Sequence, residues 1–459
     1  MTPAPPAPVD SPAPTRALGR IDRALSLFTK VQPGEGVPAL LLLVEVCVLL
    51  CAYYVLKPVR EALILANPGG AELKSYAAVG QIALLALIVP GYSALVARFE
   101  RSRLIRYVTW IFVACLLGFY VIARLQVPGL GLAFFLWVGI FNLMLVAQFW
   151  AFASDLFTRE QGERLFPVVA FGASLGAVAG SQLTSALVGP LGVPQMMLVS
   201  AALLLIALFL GRRAEESTLQ ASRVEPTVQQ ASPAPEKREG KPGPGGFRLV
   251  WANRYLLLLG LLMLLLNVVS TTGEFLLGSL VKEQALKVAP NDIPTFISQF
   301  YSDFYFWVNS AGLVVQLLFT SRFVARFGVR SALLVLPAVA LLSNLAIVFL
   351  PVLFVVRWTK TAFNALDYSL NNTVRNTLFL PLTAEEKYKG KQVVDTVFVR
   401  AGDVMSAALV FFCRQLFELP LWTFACVNVV LVGLWLVVAF RLGRAYDKHS
   451  PGPAEPQAG

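Results

Sequence analysis

The chain has 459 residues, 57% hydrophobic and only 14% charged, with a mean hydropathy of +0.67. Soluble domains run at about 25% charged, so this composition argues against a soluble enzyme or binding module and calls for an integral membrane protein. A single histidine, His449, and five cysteines in apolar stretches (Cys47, Cys51, Cys115, Cys413, Cys426) speak against histidine general bases, haem ligation and most zinc sites; no catalytic cluster, metal or cofactor is expected.

Residues 1–37 form a Pro-, Ala- and Arg-containing arm without the apolar core of a cleaved signal. Spanning the hydrocarbon core takes about 20 apolar residues. Six such segments fill 38–211: roughly 38–65, 76–97, 104–124, 131–153, 165–188 and 191–211. Residues 212–250, rich in Pro, Gly, Gln and charge, read as a flexible linker. Six more segments fill 251–441: roughly 252–281, 297–320, 331–350, 352–376, 391–414 and 419–441. A polar tail, 442–459, follows. The fold class is therefore all-α and membrane-embedded, with about twelve transmembrane helices in two six-helix halves.

The formal charge of +11 would suit nucleic acid, but its placement points to topology. The arm carries Arg16, Arg20, Arg23 and Lys30; the second loop Arg98, Arg101, Arg103 and Arg106; the linker opens with Arg212 and Arg213; the eighth loop holds Arg322, Arg326 and Arg330. Odd-numbered loops are poorer, with Lys74, Lys282 and Lys287 as exceptions. The positive-inside rule then places both termini and the linker in the cytoplasm, with the chain in a bacterial inner membrane. The partners expected are the lipid bilayer and a small anionic solute, not nucleic acid.

The halves echo each other. Val96-Ala97-Arg98-Phe99 ends the second segment and Val324-Ala325-Arg326-Phe327 the eighth. Parallel six-helix halves are the architecture of the major facilitator superfamily, whose substrate sits between the halves near the midplane. Gly172, Gly176 and Gly180 make a double GxxxG in the fifth segment, a packing signal. No Walker lysine loop occurs.

Ionisable groups within a bilayer are costly, and function is their default explanation. The first segment, about 42 Å long at 1.5 Å per residue, contains Lys57, Arg60 and Glu61, with Lys57 and Glu61 four apart and able to pair on one helix face. Glu45 also lies inside it. Glu274 falls in the middle of the seventh segment after Ser270-Thr271-Thr272-Gly273. In the tenth, Arg357, Lys360, Asn364 and Asp367 share one stripe, followed by Asn372 and Arg375. Such a stripe cannot face lipid; it lines a cavity or forms a buried ion-pair network. Asn142, Gln148 and Asp155 are milder intrusions in the fourth.

Two motifs carry a resemblance. Val55-Leu56-Lys57-Pro58-Val59-Arg60-Glu61 with Gly70-Ala71-Glu72 resembles the first-helix signature of the ATP:ADP antiporter family, the nucleotide transporters of plastids and obligate intracellular bacteria. Phe379-Leu380-Pro381-Leu382 with Glu385-Glu386-Lys387-Tyr388-Lys389-Gly390-Lys391 and Asp395 is similar to that family's loop between helices ten and eleven. The resemblance implies a secondary transporter exchanging ATP, ADP or other phosphorylated anions by alternating access. It places the family's first-helix lysine and acid on Arg60 and Glu61, its seventh-helix glutamate on Glu274 and a tenth-helix lysine on Arg375. The sequence departs from the pattern at Leu277, Asn376 and Asp403, which leaves fewer cations for a polyphosphate. The expected substrate site is Lys57, Arg60, Glu61, Glu274, Lys360, Asn372 and Arg375, with Arg60 and Arg375 clamping the anion from opposite halves. Glu274 and Asp155 are the coupling candidates. A proton-coupled exporter with Glu274 as proton carrier is the alternative, as is a non-transporting protein on the same fold.

Overall fold

The computed structural model describes residues 19–96, 98, 100–224 and 246–449. The rest of the expected arm (1–18), the centre of the expected linker (225–245) and the end of the tail (450–459) lie outside the described residues.

The apolar runs of the first half become α2 (Gly36–Leu65), α3 (Gly70–Val96), α4 (Arg101–Arg124), α5 (Leu130–Leu156), α6 (Arg159–Leu191) and α7 (Gln195–Val224), preceded by the short α1 (Arg20–Leu25). The second half holds the short α8 (Gly246–Ala252), then α9 (Arg254–Val288), α10 (Ile293–Val314), α11 (Ser321–Phe349), α12 (Leu353–Leu366), α13 (Asn372–Thr377), α14 (Lys391–Val393), α15 (Val399–Phe411) and α16 (Trp422–His449). Helices of these lengths satisfy every internal backbone group, as a lipid environment demands. Ten stretches are long and apolar enough to cross a membrane among the described residues. One of them, Ile293–Phe349, runs through two expected segments and is divided at Gly328, whose φ of 76° breaks the helix directly after Val324-Ala325-Arg326-Phe327. The polar tenth segment is not among the ten, yet it too is helical, so the chain makes the expected twelve passes.

Two boundaries differ from the composition reading. α7 continues past Arg212 to Val224, because Arg-Arg-Ala-Glu-Glu is polar but strongly helix-forming. α16 likewise carries on to His449.

Within the second half, π-helical turns interrupt the α-helices at Val315–Thr320, Asp367–Asn371, Glu386–Gly390, Val394–Phe398 and Phe412–Leu416. Among the described residues the first half has none.

The glycine stripe of α6 does what its spacing suggests. A Cβ on Gly172, Gly176 or Gly180 would collide with the backbone carbonyls of Leu43, Cys47 and Cys51, so α6 lies directly against α2.

One apolar core joins the halves: Leu56, Val59, Ile64 and Leu65 of α2 pack in the same cluster as Leu276 and Leu277 of α9 and Tyr301, Phe304 and Tyr305 of α10. A second core, including Val250, Leu256, Leu336, Leu378, Val393 and Leu442, belongs to the second half alone. The two halves meet in this core where the C-terminal part of α2 packs with α9 and α10, toward the end remote from the linker. Polar contacts cross there too. Ser185 Oγ of α6 donates to Asp303 of α10 at 2.8 Å. Arg414 Nε meets Glu72 Oε1 of α3 at 3.4 Å, and Lys282 of α9 donates to the Asn67 carbonyl.

Candidate functional site

The C-terminal third of α2, the second turn of α3, the middle of α9 and the third turn of α12 bring ionised groups together between the halves. Glu61 is wholly buried. Its Oε1 accepts from Arg60 Nη2 at 2.6 Å, and its Oε2 lies 2.6 Å from Lys74 Nζ. Lys74 also stands 3.7 Å from Glu274 Oε2 of the other half. Glu274 Oε1 is 3.1 Å from Lys360 Nζ and 3.4 Å from Asn364 Nδ2. Lys360 donates besides to the Ser270 carbonyl at 3.1 Å. Charges alternate along Arg60, Glu61, Lys74, Glu274 and Lys360, and the longest link, Lys74 to Glu274, is the one that crosses between halves.

Lys57 does not take the i, i+4 partnership with Glu61. Arg60 and Lys74 already occupy both Glu61 oxygens, and the Lys57 ammonium sits 3.9 Å from the Tyr305 ring centroid of α10 and 5.0 Å from that of Tyr54. An aromatic face attracts a cation without supplying a counter-charge, so Lys57 is not tied into the chain of ion pairs. Arg60 similarly rests 4.6 Å over the Phe135 ring of α5.

Four acids and bases of the site set, Arg60, Glu61, Glu274 and Lys360, thus share one chain of ion pairs, with Lys57 beside it. Asn372 and Arg375 do not. They lie about 20 Å further along the tenth pass at 1.5 Å per residue, toward the linker end. There Arg375 Nη2 donates to Asn372 Oδ1 at 3.3 Å, and its Nε is enclosed without a hydrogen-bond partner. Arg60 and Arg375 therefore do not meet in this conformation. Asp155 is exposed in the last turn of α5, apart from the cluster.

The positions that depart from the resembling family are accommodated locally. Leu277 is buried in the shared core. Asp403 accepts from Asn267 Nδ2 at 2.6 Å and pairs with Arg400 at 3.1 Å. Asn376 Oδ1 accepts from Lys391 Nζ at 3.0 Å.

Sequence reasoning missed Lys74 as a site residue. The signal was present: Lys74 breaks the loop-charge bias and follows Gly70-Ala71-Glu72 by two residues. The Tyr305 contact was not legible, because Tyr305 is one of six aromatic residues between 300 and 307 of the eighth segment.

Buried cations held by carboxylates can exchange those partners for an anionic ligand, whose oxygens offer Arg and Lys the same hydrogen bonds. The arrangement is a candidate binding site for an anion between two halves. It shows no nucleophile–base pair, and among the described residues no group of three or more His, Cys, Asp or Glu is placed to hold a metal ion.

The relatives found are ADP,ATP carriers. The ADP,ATP carrier protein 1 of Chlamydia pneumoniae is 23% identical over 409 residues, covering 80% of this chain and 72% of the relative. That of Chlamydia muridarum (strain MoPn / Nigg) is 24% identical over 347 residues, covering 66% and 63%. Among solved structures, a bacterial homologue of the iron transporter ferroportin, in an inward-facing state, aligns with a TM-score of 0.61 at 14% identity over 89% of this chain and 98% of that one. The nucleoside transporter NupG aligns at 0.54 and 12% identity over 90% and 100%. The sequence model of the Major Facilitator Superfamily matches residues 46–373. With twelve passes and a charged site between halves, the chain belongs to the Major Facilitator Superfamily.

Proposed function

We propose that this multi-pass membrane protein is a secondary transporter that exchanges nucleotides of the ATP/ADP type, or other phosphorylated anions, by alternating access. The observation that carries the reading is the ion-pair chain from Arg60 to Lys360, which holds cations between the halves in reach of a substrate from either. Phosphate oxygens entering the site would take over Arg60 and Lys360 from Glu61 and Glu274, with the Lys57 amine as a further donor beside them. The carboxylates then neutralise the cations again once the substrate has left. Arg375 and Asn372, nearer the linker, are placed to meet the anion earlier or later on its path. The ADP,ATP carriers among the relatives support the substrate class.

In this reading the halves 38–211 and 251–441 rock against each other, and the conformation described is closed at the end remote from the linker. The loop charges put the linker and both termini on the cytoplasmic side of an inner membrane. An impermeant thiol reagent should leave a cysteine placed in 225–245 unmodified in intact cells; modification there would overturn that orientation.

The decisive experiment is uptake of labelled ATP, ADP and simple phosphates into proteoliposomes of defined internal content. Exchange predicts uptake that requires internal counter-substrate and persists when a protonophore collapses the proton gradient. Uptake into empty vesicles that a protonophore abolishes would refute exchange.

A further inference from the structure

Glu45 belongs to no part of the central cluster, yet it lies deep in α2 and is only 7% exposed. Its Oε2 is enclosed and has no hydrogen-bond partner, and the same holds for Nε2 of Gln148 on α5, itself 6% exposed. Both line one cavity of about 50 Å³ among α2, α4, α5 and α7. Its walls are mainly apolar, with Leu49, Ile105, Leu145 and Phe149. Gly211 of α7 backs onto the Glu45 carboxyl so closely that a Cβ there would fall 2.7 Å from Oε1. The charged groups facing the cavity are Arg106 from α4 and Arg212 and Glu215 from α7. Glu215 is engaged by Ser102 Oγ at 2.7 Å, and α5 contributes only the neutral Gln148.

A water needs roughly 10–15 Å³ of such space, so the cavity admits solvent and excludes an organic solute. Among the described residues neither arginine forms an ion pair with Glu45, and an ionised carboxylate enclosed without a direct partner is more costly than the neutral acid. A metal cation would need several oxygen ligands, whereas the cavity presents two arginines. The remaining ligand that fits the volume and the charge is a proton. The Gln148 amide, acceptor and donor in one group, suits a carboxylic acid as neighbour.

We propose that Glu45, supported by Gln148, is a proton-binding site inside the first six-helix bundle, filled from the linker end past Arg106 and Arg212 and distinct from the anion site between the halves. The carboxylate takes one proton from water in the cavity and becomes the neutral acid; release reverses the step. The proposal stands independently of the exchange reading, since it concerns a different cavity.

Infrared difference spectroscopy on the full-length protein in lipid, stepped between neutral and strongly alkaline pH, tests it. The expected result is a protonated-carboxyl C=O band at neutral pH that is lost in Glu45→Gln and shifted, not lost, in Gln148→Leu. A band that survives unchanged in folded Glu45→Gln overturns the proposal. If Glu45→Gln does not fold, an unshifted band in Gln148→Leu overturns it equally. Sodium is the rival occupant: stabilisation of the wild type by sodium chloride, relative to choline chloride, with no Glu45-dependent band, would make the site a cation site and refute the proton.

Discussion

The two ends of the molecule handle polar groups in opposite ways. At the remote end, ion pairs and hydrogen bonds run from one half to the other: Lys74 to Glu274, Arg414 to Glu72, Ser185 to Asp303. At the linker end they stay at home. Arg164 Nη2 pairs with Glu35 Oε1 at 2.8 Å, Asn253 Nδ2 donates to Glu386 at 2.8 Å, and Tyr255 Oη donates to the Leu378 carbonyl at 2.7 Å. The remote-end contacts must break if the halves rock; the linker-end contacts can travel with their own half. A carrier that alternates needs both kinds, and the difference says which contacts set the conformational equilibrium and which only hold a half together.

The largest effect should come from Glu61. Replacing it with Leu leaves Arg60 buried without its counter-charge and Lys74 with only the 3.7 Å contact to Glu274, a loss of about 3–5 kcal/mol. Thermal unfolding in detergent should show it as a pronounced drop; an unchanged midpoint would mean the ion chain does not hold the remote end.

Next comes substrate affinity. Arg60→Gln and Lys360→Gln should each weaken the apparent affinity for a phosphorylated anion by about 1.5–3 kcal/mol, roughly tenfold to over a hundredfold. Arg375→Gln, at the other end of the path, sharpens the contrast: competition assays should show a smaller loss. Equal losses at all three positions would place Arg375 in the same site after a conformational change.

A smaller effect concerns the linker end. Burial works against the charge of Glu35, but hydrogen bonds from Arg164, the Gln32 amide and Gln161 outweigh it and hold the carboxyl below its ordinary value of 4.5. A depressed folded value means the contribution is present above that ordinary value and lost as pH falls through and below it. The anchoring of the arm on α6 should therefore weaken on acidification. Glu35→Gln should remove that pH dependence from the cysteine accessibility of residue 31, without moving the remote end.

The smallest is the half-exposed pair Arg414–Glu72. Either Gln substitution should cost about 0.2–1 kcal/mol, a severalfold rise at most in the population open at the remote end. Spin-label distances between α3 and α15 would read it; no change would assign closure to the other contacts between the halves and the apolar core.

How much of this was legible varies with the kind of signal. The passes follow from runs of apolar residues, which the bilayer imposes directly. Glu274, Lys360 and Asn364 were visible because a charge in an apolar run stands out, and the three- and four-residue steps put Lys360 and Asn364 on one face. Lys74 was hidden because it sits beside a loop, where a lysine is ordinary; only the fold turns the second turn of α3 inward. Lys57 was assigned the wrong neighbour, since helix spacing allows a pair with Glu61 but says nothing of a tyrosine from α10 arriving to compete. The linker was read as starting at Arg212, where α7 in fact continues to Val224, because polarity marks the membrane surface, not the end of a helix.

The π-helical turns carry a mechanical consequence. A π turn widens the helix and costs ideal hydrogen-bond geometry, so a helix built with one is softer there than an unbroken α-helix. The described residues put all of these turns in the second half, while the first half is braced by α2 and α6 in glycine-mediated backbone contact. The two halves are thus unequal as springs: one is a stiff frame, the other a jointed jaw. The tenth pass carries its π turn at Asp367–Asn371, between Lys360 in the ion chain and Arg375 near the linker. A load applied by an anion at one of these two residues would be absorbed at that joint before it reached the other.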